Sequence, residues 1–206
     1  MTADIIDLLA GITPGSALAE TRALRPQARA NAQRSFEALL EPAQPGDFPL
    51  VERYAIAAFT ARIHRFDAAT AFYDDLLREE DVALADAIAD LAADAAQRGP
   101  VGAYREPGLA GESTPAVAWH PASAAVGGRL AAALAHTHLL VFRPREASPQ
   151  ALRALTDAGW SADAIVSLSQ LVAFLAFQLR LAWGLRVLGA SASAHTTAQT
   201  LEGAAR

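Results

Sequence analysis

Apolar residues recur at three- and four-residue intervals through most of this chain, and no stretch alternates with the period of two that a half-buried strand requires. The pattern predicts helices divided by strong punctuation. A short apolar helix over 3–9 is stopped by Gly11, with a turn at Pro14-Gly15. Ser16 caps a helix reaching about Leu24, and Pro26 opens another that ends near Leu40, ahead of Pro42. Segment 41–47 reads as a loop. Asp47 and Pro49 open the next helix, in which Val51, Ala55, Ala58, Phe59 and Ile63 keep helical spacing. A break at 64–66 separates it from a helix over 68–79, and a third follows over 81–98, stopped by Gly99-Pro100.

Residues 99–121 are rich in Gly and Pro and carry Tyr104, Trp119 and His120. A patternless stretch of this length inside a compact domain marks a functional loop, an interface arm or a mobile segment. Beyond it the spacing predicts a helix over 123–142, a short one from Ser148-Pro149 to Gly159, and a long apolar helix capped by Ser161 and reaching about Leu188. The small polar residues of 190–206 predict a flexible, frayed tail. The expected organisation is one globular unit: an N-terminal helical extension over 1–47, a helical domain over 48–189, and the tail. The helix over 161–188 is apolar on every side, which one domain of this size has difficulty surrounding. A symmetric homo-oligomer, at least a dimer, is therefore expected.

Composition sharpens this picture. About a quarter of the 206 residues are Ala, the strongest helix former, so the fold class is all-α. The formal net charge of −5 and the lack of a basic stripe argue against a nucleic-acid partner. All 17 basic residues are Arg, which excludes a lysine Schiff base or lysine general base. No Cys is present, which excludes disulfides, thiol nucleophiles, thiolate metal sites and iron–sulfur clusters. The first residues, with Asp4 and Asp7 interrupting the apolar run and no basic leader, do not read as a signal peptide. The apolar run 164–179 is shorter than the ~20 residues of a membrane span and ends on Arg180. A cytoplasmic protein without membrane contact is expected.

The stretch 52–73, ERYAIAAFTARIHRFDAATAFY, resembles the core motif of the alkylhydroperoxidase D / carboxymuconolactone decarboxylase superfamily. Its peroxidases carry a Glu on one helix, a C-x-x-C at the start of the next, and a His four residues past the second Cys. Here Glu52 stands at the Glu position, His64 and Asp67 at the Cys positions, and Ala71 at the His position. A second patch, ALRALTDAGWSADAIVSLSQLVAFLAFQLRLAWGLRVLGA, is similar to the C-terminal helices of the peroxidase-related branch. The resemblance implies an alkylhydroperoxidase-D-like, oligomeric helical bundle, with 1–47 outside its reach. In the family, Glu and His relay protons while a helix N-terminus helps ionise the attacking thiol. That chemistry is missing here. His64 is a poor peroxide nucleophile, Asp67 when ionised only accepts hydrogen bonds, and no second thiol exists to resolve a sulfenic acid.

Three readings of Glu52, His64 and Asp67 remain. They form an acid–base group for decarboxylation or isomerisation of a small acid or lactone, with no cofactor. They hold a divalent metal with open positions. Or each serves a helix end: Glu52 in a first turn, His64 at a C-terminus, Asp67 as an N-cap. The first reading makes the protein an enzyme acting on an unidentified small molecule. The last leaves a non-catalytic oligomeric or partner-binding protein of the same fold. His136 and His138, two residues apart on a helix, point to different faces and cannot chelate one ion together. Convergence of Glu52, His64 and Asp67 on a cavity would separate these readings.

Overall fold

The helix that the chain buries on every side is the one carrying the first half of the 52–73 stretch. In the computed structural model this helix, α4 (Leu50–Ile63), has Ala55, Ile56, Ala57, Ala58, Phe59, Thr60 and Ala61 all fully buried. Its alanines let neighbours approach closely, and α3 (Pro26–Leu40), α5 (Asp67–Glu80), α6 (Val82–Ala95), α8 (Gly128–Phe142) and α10 (Ala162–Ala204) pack around it. The structure describes residues 4–114 and 117–204, the last thirteen by backbone alone; 1–3, 115–116 and 205–206, and with them the ends of the expected first helix and tail, lie outside the described residues. Among the described residues the protein is all-α and contains no strand, as the spacing predicts.

Local signals set most boundaries. Asp4 caps α1 (Ile5–Ala10) by accepting from the Ile6 and Asp7 amides, and Gly11 ends it at φ 69°. Ser16 caps α2 (Ala17–Ala23), accepting from Ala19. Ser148 caps α9 (Pro149–Asp157), and Ser161 accepts from the Ala164 amide at the start of α10. The 41–47 loop is tied to α4 by Arg53, which donates to the carbonyls of Phe48, Leu39 and Pro45 at 2.8, 2.6 and 3.3 Å.

Three expectations change. The helix expected over 123–142 is divided into α7 (Ser123–Val126) and α8, because Gly127 takes φ 79° between them. The 99–121 segment is strapped down. Its Val101 amide donates to the Phe142 carbonyl at 2.7 Å, a 3₁₀ turn spans Pro107–Glu112, and Trp119 stacks on Phe59 and donates to Asp94 at 2.7 Å. Finally, α10 does not stop near Leu188 but continues through Ala204. The segment 190–206 contains no proline, so the backbone meets no barrier there. The stretch Ala162–Ser191 is long and apolar enough to cross a membrane, which the shorter 164–179 run did not suggest; half of its most apolar window is buried inside the protein.

Candidate functional site

The structure does not bring Glu52, His64 and Asp67 together. Glu52 lies in the first turn of α4 and His64 is the residue that caps its far end. Twelve residues of helix between them amount to about 18 Å. Glu52 is engaged elsewhere: Arg129, on the first turn of α8, donates to its carboxylate at 3.0 and 3.4 Å. The same guanidinium reaches the Gly159 carbonyl at 2.6 Å and lies over the Trp160 ring at 4.1 Å. Glu52 therefore clamps the start of α4 to α8 and to the α9–α10 link.

Asp67 is the first residue of α5 and is exposed; the N-cap is Phe66, and no side chain bonds to the helix start. The expected Asp67 N-cap is thus displaced by one residue, because the chain enters α5 from an extended Phe66 whose ring is buried. Ala71, at the family's His position, is also exposed. Among the described residues no group of three His, Asp or Glu is placed to hold a metal ion.

Of the three, His64 lines a cavity that Glu52 and Asp67 do not. The cavity, of about 570 Å³, opens at the C-terminal end of α4 between the 97–100 segment, the end of α8 and the middle of α10. Ile63, Phe66, Val141, Phe142, Leu179 and Trp183 make its walls apolar. The polar residues of its lining are His64, Gln97, Arg65, Arg98 and Arg180. Among the described residues no carboxylate lines it, and no salt bridge engages any of the three arginines. In a chain of net charge −5, three uncompensated guanidinium groups around one cavity form a local field that favours an anion.

The imidazole has a defined state. Its Nδ1 lies 2.9 Å from the Thr60 carbonyl, which can only accept, so Nδ1 carries the proton and Nε2 keeps its lone pair. Nε2 is buried without a hydrogen-bond partner. Burial pushes the His64 pKa down, the Thr60 contact opposes this, and Arg180 adds to the lowering. The ring is a neutral base at pH 7.

The backbone beside it is unusual. Phe66 donates to the Ala61 carbonyl at 3.4 Å and Arg65 to Arg62 at 2.9 Å, the paired bonds of a helix ended by a left-handed residue. Helices α1 and α9 end with the same pair of bonds, and there the left-handed residue is Gly11 or Gly159. At the cavity it is Arg65, at φ 57°, the one non-glycine with positive φ among the described residues. A β-carbon in that conformation costs roughly 1–2 kcal/mol. The chain keeps a guanidinium where glycine would fit better.

Sequence reasoning missed Arg65, Gln97, Arg98 and Trp183. They come from three segments with no common spacing; the only local sign was a non-glycine at a predicted helix break. The two histidines on α8 diverge as expected, His136 Nε2 meeting Ser169 Oγ at 3.2 Å and His138 Nε2 meeting the Ala95 carbonyl at 3.2 Å. A scan against known protein families and a search of curated proteins return no match for this chain.

Proposed function

We propose that this chain is a cysteine-less, oligomeric protein of the alkylhydroperoxidase-D-like fold that binds a small organic acid with an apolar body in the cavity at the end of α4. The observation that carries this reading is the trio Arg65, Arg98 and Arg180 around apolar walls with no carboxylate among them. The guanidinium groups hold the carboxylate of the ligand, and Phe66, Phe142 and Trp183 cover its apolar part. His64, neutral and with a lone pair on Nε2, is the one side chain in the lining that can exchange a proton near pH 7. The acid–base group is thus reduced to His64, with Glu52 and Asp67 serving helix ends. That dispersal favours the non-catalytic reading, a binding protein without turnover, over a multi-residue catalyst.

Titration with a panel of small aliphatic and aromatic carboxylates tests the proposal, with calorimetry and the His64 ring resonances as readouts. Saturable binding is expected, weakened at least tenfold by Arg180→Gln. Binding should also raise the His64 pKa, because an anion beside the ring favours its protonated form. Chemical shifts of His64 that ignore every carboxylate up to millimolar concentration would refute it. Turnover of a bound acid that disappears in His64→Gln while binding survives would decide for an enzyme.

A further inference from the structure

The face of α10 turned away from the core is a regular seam. Val166, Gln170, Ala173, Phe177, Arg180, Gly184 and Val187 are all exposed and follow one another at intervals of four, three, four, three, four and three residues. That spacing is the 3.5-residue repeat of helices that supercoil around a partner helix. Val166, Phe177 and Val187 are each more than half exposed, as are Trp183 and Leu188 beside the seam. Gly184 has open space where a β-carbon would stand, so another backbone can approach closely there.

We propose that the occupant of this seam is the same seam of a second copy, running antiparallel about a two-fold axis level with Leu175. In that register Val166 meets Gly184 of the partner subunit, Ala173 meets Phe177 of the partner subunit, and Gln170 meets Arg180 of the partner subunit. Large residues fall on small ones, and the two polar positions fall on each other, so that the Gln170 amide oxygen accepts from a guanidinium. The symmetry repeats each match in reverse, as an isologous interface requires. A parallel pair would instead set Phe177 on Phe177 and Arg180 on Arg180. A lipid bilayer would leave Gln170 and Arg180 without partners in the middle of the stripe.

The pairing reaches the cavity. Arg180 and Trp183 line its mouth and also stand on or beside the seam. The second copy therefore places its Gln170 at the rim of this cavity and narrows the opening, so that each subunit closes the other's site. This consequence rests on the reading of the cavity as a ligand site; the pairing itself does not.

Because the chain has no cysteine, engineered ones report the pairing cleanly. Val166→Cys and Gly184→Cys are made as separate proteins, each folded by circular dichroism, then mixed and oxidised. A disulfide-linked dimer is expected in the mixture and not in either protein alone, and Phe177→Glu should sediment as a folded monomer at micromolar concentration where the parent is a dimer. Cross-linking of each variant with itself would overturn the antiparallel register. A monomeric parent, or flotation of the parent with phosphatidylcholine–phosphatidylglycerol vesicles in place of self-association, would overturn the interface. None of these readouts needs a ligand, so failure of the cavity reading leaves a different mark.

Discussion

Glu52 and His64 occupy opposite ends of α4, one fixed by Arg129 and the other by the Thr60 carbonyl. Two candidate site residues are thus separated by the full length of a buried helix. The Glu52 carboxylate is largely shielded, its side chain 15% exposed, and it receives two charge-assisted contacts. Glu52→Gln is expected to lower stability by about 1–2 kcal/mol and to leave carboxylate binding at the cavity unchanged. Urea unfolding and calorimetry on one preparation check both halves. A loss of binding with unchanged stability would restore Glu52 to the site.

Asp67 gives a sharper contrast. An N-cap carboxylate loses about 0.5–2 kcal/mol on truncation to Ala and little on change to Asn. Here Asp67 makes no such bond and contributes only its charge to the first turn of α5. Asp67→Asn and Asp67→Ala are therefore expected to cost the same, about 0.3–1 kcal/mol, from the lost interaction with the helix dipole. Thermal unfolding of the two variants decides, and a clear gap between them would place the cap back at Asp67.

Legibility in the sequence followed the range of the cause. Asp4 and Gly11 bound α1 through bonds that span a few residues, so the pattern of letters reveals them. Ser16, Ser148 and Ser161 are equally local. Gly127 was hidden because the residues around it keep helical spacing across the break. The end of α10 was misplaced because the small polar residues of 190–206 resemble a frayed tail; at Gly189, inside the helix, a β-carbon would lie 2.8 Å from the Leu18 side chain on α2. Arg65, Arg98 and Arg180 meet only through tertiary structure, and no spacing connects them. The seam of α10 was masked for a related reason. On a helix apolar all round, the outward face becomes visible only once the inward residues, such as Leu168, Leu171 and Leu175, are known to be buried.

The absence of cysteine has a direct functional consequence. The purified protein is expected to reduce no peroxide with a dithiol reductant or a lipoyl partner, because no thiolate can attack the O–O bond. A coupled assay after removal of adventitious metal and haem checks this; turnover above the protein-free rate would contradict it.

Arg65 should show stability traded against binding. Glycine occupies the left-handed position without the clash a β-carbon meets, so Arg65→Gly is expected to raise stability by about 1 kcal/mol. The same change removes one of three cations from the cavity and should weaken carboxylate binding several-fold. Opposite signs in the two measurements, urea midpoint and ligand titration, are the signature of a strained residue kept for its side chain. A variant that is more stable and binds equally well would make Arg65 irrelevant to the site.

His138 supplies a pH dependence whose direction is fixed by its surroundings. The ring is 1% exposed and packed between Trp119 and Phe142; Nε2 donates to Ala95, and Nδ1 is buried without a partner. Burial pushes its pKa down to about 4, with Arg143 and His120 adding to the lowering and the Ala95 contact opposing it. In the unfolded chain the ring titrates near its ordinary 6.5. Between these values the unfolded state binds the extra proton, so stability is complete above pH 6.5 and falls as pH drops towards 4, by about 3 kcal/mol at most. His64 and His136 are shifted in the same direction by burial and steepen the fall. For Asp4, burial pushes the carboxyl up, but Arg22 and neighbouring donors outweigh it and hold its pKa below 3.8, so its contribution is lost only at more acid pH. His138→Gln, which keeps a donor for the Ala95 carbonyl, should flatten the pH 4–6.5 part of the curve without abolishing it. Urea midpoints of parent and variant across that range provide the check, and parallel curves would mean that His138 is already protonated in the folded protein.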